Sequence, residues 1–149
     1  MSIESKVLGQ QVAYPTDYCP SILVPVPRSL NREIYDIHTP EELFRGFDTW
    51  HAYEAGFLTR NGLPVCGVLK LIYPANSPCI VESKSLKLYL NSLNMTRLGE
   101  DTPSGIETYL QTVKSDLEQI LQTRVETTFF RHPPEKPYFD FQDYTLLEA

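Results

Sequence analysis

The sequence predicts an α+β fold, an antiparallel sheet with two helices packed on one face. Two apolar-alternating runs, residues 49–59 and 64–74, flank Asn61-Gly62, a pair that tolerates the positive φ of a hairpin turn. Two segments with helical apolar spacing follow, at 81–94 and 101–124, and residues 124–132 and 137–147 then return to strand composition. The order is strand, strand, helix, helix, strand, strand. A long hairpin is not stable unless something covers one face, so both helices are expected on the same side.

The totals agree with a single domain. A chain of 149 residues, 42% hydrophobic and 21% charged, is long enough for a sizeable core. Its net charge of -6 gives no chain-wide basic footprint for nucleic acid, so no direct nucleic-acid partner is expected. The start "MSIESKVLGQQ" lacks the apolar core of a signal peptide, and no apolar run approaches membrane-spanning length. Cys19, Cys66 and Cys79 are odd in number and unpaired in spacing, which suits a reducing cytoplasm. His38, His51 and His132 are scattered, and no metal site is expected.

Residues 1–48 read as an N-terminal proline-rich arm, with Pro15, Pro20, Pro25, Pro27 and Pro40. Within it "CPSILVPVPRSLNRE" is expected to be extended rather than helical, ending in the basic pair Arg28 and Arg32. Such a segment either hugs the surface or binds something. Residues 49–149 form the single folded module. On its second strand Val65, Gly67, Leu69, Leu71 and Tyr73 alternate with Cys66, Val68, Lys70 and Ile72. Pro74 to Pro78 break the sheet.

"VESKSLKLYLNSLN" (81–94) admits two local readings. Leu86, Leu88 and Leu90 alternate as in a strand; Leu86, Tyr89, Leu90 and Leu93 follow a helix face, and the helix is preferred. Ser83 or Ser85 is the expected cap, and the helix start is either an anion site or an ordinary capped corner. In the next helix Thr102 is the expected cap, with Pro103 at the first helical position. Its apolar face is Ile106, Tyr109, Leu110, Val113, Leu117, Ile120 and Leu121.

No glycine-rich phosphate loop and no Ser-His-Asp order is present. Neither Cys66 nor Cys79 has a nearby histidine base, and Cys66 is expected to be a buried small hydrophobe. Glu82, Ser83 and Lys84 are the best candidate site. A carboxylate accepts two parallel hydrogen bonds and so suits a guanine-like edge; an ammonium offers a point charge for phosphate. A solvated strand-to-helix corner explains the same residues.

"ESKSLKLYLNS" (82–92) resembles the signature of the nitrile reductases of queuosine biosynthesis, the QueF family. "VPRSLNRE" (26–33), "GFDTWHAYEAGFLTRNGLP" (46–64) and "NSLNMTR" (91–97) are similar to the N-terminal half of its two-module form. The resemblance implies the tunnelling fold, whose sheets assemble into barrels with active sites between modules. It also implies reduction of 7-cyano-7-deazaguanine to 7-aminomethyl-7-deazaguanine with NADPH, in the pathway of a tRNA modification. Glu82, with Val81 and Ser83 beside it, would bind the deazaguanine; Ser83 and Lys84 would contact NADPH.

The family's chemistry needs a cysteine that adds to the nitrile and an aspartate as proton donor. Aligned on Gly62-Leu63-Pro64, those positions hold Leu58 and Val65, and the family's His-Glu pair falls on Gly99-Glu100. Leucine cannot attack a nitrile. The departure resembles the N-terminal module of the two-module form, whose sister module carries the cysteine. The expected partner is therefore a cysteine-bearing second module, or further copies of this chain. The alternative is a non-catalytic tunnelling-fold module that binds a purine-like or pterin-like ligand or scaffolds assembly. A segment of a longer protein would look the same.

Overall fold

The computed structural model describes residues 15–38 and 45–132. The strand expected at 137–147 therefore lies outside the described residues. A 3-10 turn at Pro20–Ile22 comes first, followed by β1 (Pro25–Pro27), α1 (Arg28–Glu33), β2 (Phe47–Leu58), β3 (Pro64–Pro74) and β4 (Cys79–Val81). α2 (Ser83–Leu93), α3 (Thr102–Leu121) and β5 (Glu126–Phe130) complete the order. β2, β3 and β5 form an antiparallel sheet with β3 at its centre, and β1 pairs antiparallel with β4 in a second, two-stranded sheet. This is an α+β fold of the tunnelling type.

The hairpin closes where the sequence marks it. Gly62 N–H donates to the Thr59 carbonyl at 2.8 Å, and Thr59 N–H to the Leu63 carbonyl at 2.9 Å. Of the Asn-Gly pair only Gly62 takes positive φ, at 85°. Alternation then assigns the faces. Val65, Leu69, Leu71 and Tyr73 are buried with Ala55 and Phe57 of β2 beneath α2 and α3. Cys66 is exposed, correcting the expectation of a buried thiol. It follows Val65 directly, and a period of two turns it to the helix-free face.

Tyr109, Val113, Leu117 and Leu121 are fully buried along one stripe of α3. Leu110 is only partly buried, because one residue past Tyr109 it lies about 100° around the helix. The Tyr109 ring stacks on Phe57 at 5.4 Å and meets the Phe129 edge at 5.7 Å, tying α3 to both edge strands.

Two local expectations are corrected, and one strand pair is new. Asp101, not Thr102, caps α3 in a capping box with Ser104: its side chain accepts the Ser104 N–H at 2.9 Å, and Ser104 Oγ accepts the Asp101 N–H at 3.2 Å. The carboxylate reaches the third helical amide, which a residue already inside the helix cannot do. The arm is not extended throughout: Pro20–Ile22 forms a 3-10 turn with Pro20 at its first position, and Arg28–Glu33 is an α-helix, which begins after the last of these prolines, Pro27. The β1–β4 pair is too short to announce itself by alternation.

The Ser104 hydrogen bonds hold the Asp101 carboxyl below its usual range. A carboxyl depressed in the folded state contributes stability above its unfolded pKa, and that contribution is lost as pH falls through the folded one. Acidification should therefore lower the protection of the Ser104 amide, its exchange rate being compared with the intrinsic rate at each pH, and Asp101→Asn should abolish that loss of protection. An Asn variant as pH-sensitive as the parent would refute the assignment.

Candidate functional site

The candidate site begins at the junction of β4 and α2. Glu82 is extended, with φ −73° and ψ 131°, and is the cap of α2. Its Oε1 accepts the Lys84 N–H at 2.9 Å, and its Oε2 accepts the Ser85 N–H at 2.7 Å. Neither Ser83 nor Ser85 is the cap, so that expectation is corrected. The amide donors that would have made an anion site are bonded to the chain's own carboxylate. A carboxylate offers about four acceptor positions; the two amides use two of them, and the Ser83 hydroxyl also donates to Oε1, at 3.5 Å. Glu82 is only half-buried, so its remaining acceptor capacity is within reach of a ligand's N–H edge. A cap alone is better served by Asp or Ser.

The neighbours differ in what they can offer. Ser83 is exposed, Lys84 half-buried and Ser85 buried. The Val81 side chain is 2% exposed and belongs to the core, so any ligand contact from Val81 comes through its main chain. Beneath it the Tyr73 hydroxyl accepts from Trp50 Nε1 at 2.9 Å and from the Val81 N–H at 3.4 Å. Burial raises the Tyr73 pKa, which keeps the phenol neutral in this platform.

Beside Ser83 a groove of about 270 Å³ opens between β2 and α2. Ala52, Leu86 and Leu90 line it together with Trp50, Tyr53 and Lys87. Lys87 is four residues after Ser83, and the i,i+4 spacing is the signal that places both on one face. Trp50 and Tyr53 carry no such local signal, since they reach the groove from another element. At the other candidate, the basic end of the arm, Arg28 is tied to Asp48 and to Ser77, with Nε donating to the Ser77 carbonyl at 2.9 Å. Arg32 donates to the Ala75 carbonyl at 3.2 Å. These guanidinium groups fasten α1 to the loop before β4.

The aligned reactive positions lie at the other end of α2. Leu58 closes β2; its N–H donates to Thr96 O at 2.9 Å and its carbonyl accepts from Leu98 N at 2.7 Å. Thr96 N–H in turn donates to Leu93, the last residue of α2. Eleven residues of α2 separate that end from Glu82, roughly 16 Å at the helical rise. Val65 is buried at 3% exposure. Glu100 is exposed and paired with Arg60. Cys19, Cys66 and Cys79 are free thiols, and none stands at the aligned position. Among the described residues no group of three or more His, Cys, Asp or Glu could hold a metal, and no helix is long and apolar enough to cross a membrane.

Residues 14–129 match the family described as nitrile reductase, 7-cyano-7-deazaguanine-reductase N-term. An NADPH-dependent 7-cyano-7-deazaguanine reductase of Acinetobacter baumannii is 39% identical over 131 residues, 88% of this chain and 46% of the relative. A protein of the same description from Coxiella burnetii is 38% identical over 147 residues, 98% of this chain and 51% of the relative. The chain thus spans about half the length of the relatives it matches.

Proposed function

Because the chain belongs to the nitrile reductase, 7-cyano-7-deazaguanine-reductase N-terminal family, we propose that it is the ligand-recognising half of such a reductase. In this reading it acts in the cytoplasm, on 7-cyano-7-deazaguanine as substrate and with NADPH as cofactor. A second module carries the nucleophilic thiol and the proton donor. One observation carries the proposal: the half-buried signature carboxylate at the start of α2 stands about a helix length from the aligned nucleophile position, which holds Leu58. A site completed within one chain would bring the two together.

Glu82 accepts from the N–H edge of the deazaguanine through the acceptor positions its cap bonds leave open. The Val81 main chain and the Ser83 hydroxyl lie beside that edge. Ser83 and Lys84 contact the cofactor, whose donor set they fit as a hydroxyl and an ammonium on one helix start beside an aromatic-walled groove. At about 270 Å³ the groove is near the low end for ligand pockets and takes part of a dinucleotide. NADPH supplies the hydride when bound; this chain binds and orients.

The second module docks on open sheet surface. β2 and β5 are both edge strands, with unpaired backbone groups along them. The sheet face away from the helices carries Cys66, Val68, Ile72 and Phe130, and Phe47 and Tyr53 on β2 are 71% and 77% exposed.

The test uses two substitutions at Glu82 in the chain assembled with its thiol-bearing module. Glu82→Asp keeps the charge and caps at least as well, but draws the carboxylate back by about one bond, roughly 1.5 Å. Glu82→Gln keeps the length and loses the charge. Both should weaken 7-cyano-7-deazaguanine binding by about 1–3 kcal/mol, measured by calorimetry. The Asp variant should melt no lower than the parent, and the Gln variant should lose about 1 kcal/mol of stability with the cap. Parental affinity in both variants would leave Glu82 as a cap and nothing more.

A further inference from the structure

We propose that the arm segment Tyr18–Val24 is a clamp that sets the Glu82 carboxylate, with Ser85 as the positioning residue through which it acts. The proposal rests on the reading of Glu82 as the recognition group. Its basis is a closed ring of hydrogen bonds around that residue. Glu82 N–H donates to the Val24 carbonyl at 3.0 Å. Val24 N–H donates to Ser85 Oγ at 3.1 Å, and Ser85 Oγ donates to the Glu82 carbonyl at 2.8 Å. Ser85 N–H then donates to the Glu82 carboxylate. Both main-chain polar groups of Glu82 are therefore held by this ring, leaving chiefly its side-chain torsions to be set by the cap bonds.

The pattern repeats two turns along α2. Ser92 Oγ accepts the Cys19 N–H at 3.2 Å and donates to the Tyr89 carbonyl at 2.6 Å. Ser85 and Ser92 are 3% and 1% exposed, polar side chains on the packed side of a helix. Burying a hydroxyl requires a partner, and for each serine one partner is the arm backbone. The far end is pinned by Asp116 of α3, whose Oδ2 accepts from Tyr18 at 2.7 Å and Tyr89 at 2.6 Å. Burial and the adjacent Asp116 raise both phenol pKa values, so both remain donors across the working pH range. The clamp thus links α3, α2 and the Glu82 corner through one segment, whose middle is a 3-10 turn at Pro20–Ile22. It also gives the signature's Ser85 and Ser92 a role that involves no ligand contact.

The test is Ser85→Ala, with Ser85→Thr and Tyr18→Phe as companions, in the full chain. Alanine favours the helix, so the variant should fold. Amide exchange at Lys84, whose N–H the carboxylate holds, should accelerate about tenfold in Ser85→Ala while Val113 and Leu117 amides are unchanged. Tyr18→Phe should produce a smaller increase at Lys84. In the assembled reductase 7-cyano-7-deazaguanine should bind about tenfold more weakly to Ser85→Ala. Ser85→Thr, which keeps the hydroxyl, should recover both readouts. In a Glu82→Gln background Ser85→Ala should weaken binding no further. Unchanged Lys84 exchange, or an equal affinity loss in the Gln background, would overturn the clamp. Parental affinity in Glu82→Gln alone overturns the recognition reading; weakened affinity there with parental affinity in Ser85→Ala overturns the clamp alone.

Discussion

Purified alone and supplied with NADPH and 7-cyano-7-deazaguanine, the chain should show no nitrile-dependent oxidation of the cofactor. Addition to a nitrile needs an activated thiolate, and the aligned position holds Leu58, an alkyl side chain at the end of β2. Removing a nucleophile of this kind typically abolishes turnover by several orders of magnitude rather than slowing it. Mixing with a module that carries the cysteine and the aspartate should restore turnover. Under the proposal, sedimentation of the mixture should show a complex larger than either component, the edge strands β2 and β5 being available for pairing. The competing outcome is specific. Cys66 is exposed on the helix-free face; substrate-dependent turnover by the chain alone, lost in Cys66→Ala, would show that this thiol does the chemistry and that the split arrangement is wrong. A chain that stays monomeric beside such a module would count equally against the proposal.

Leu117→Ala should destabilise the fold by about 2–5 kcal/mol. Leu117 is fully buried in the stripe that α3 lays on the sheet, between Val113 and Leu121. The lost transfer energy is compounded by a cavity that the surrounding aromatic and aliphatic side chains cannot close. Denaturant titration should show a lower midpoint with an unchanged slope, the sign of lost stability without a change in exposed area. Leu110→Ala, at the margin of the same helix, should cost less than Leu117→Ala. Equal costs would mean that the stripe has been drawn on the wrong face.

The signature stretch shows why some features are legible in sequence. Leu86, Tyr89, Leu90 and Leu93 lie within one helix, so their spacing alone favours the helix that the structure contains. The same applies to the α3 stripe and to the alternation in β3. The hairpin is equally local, since Gly62 itself supplies the positive φ. The caps were harder. Asp101 stands one residue before the expected Thr102, and Glu82 one or three residues before the expected Ser83 or Ser85, because a carboxylate or a hydroxyl can fill that role and only the backbone path decides which one reaches the free amides.

By itself, then, the sequence determined the α+β class, the hairpin, both long helices, the family and the absence of a thiol at the aligned position. All of these depend on residues close together in the chain. Tertiary structure alone decided how distant pieces meet. β1 finds β4 across more than fifty residues, Val24 closes on Ser85, and Trp50 and Tyr53 meet Lys87 across the groove. It also decided that Cys66 is exposed and that Leu58 and Glu82 stand at opposite ends of α2. The physical reason is common to these cases. Local periodicity specifies which face of an element is apolar, but only packing selects the partner that covers it and the polar groups left at the rim.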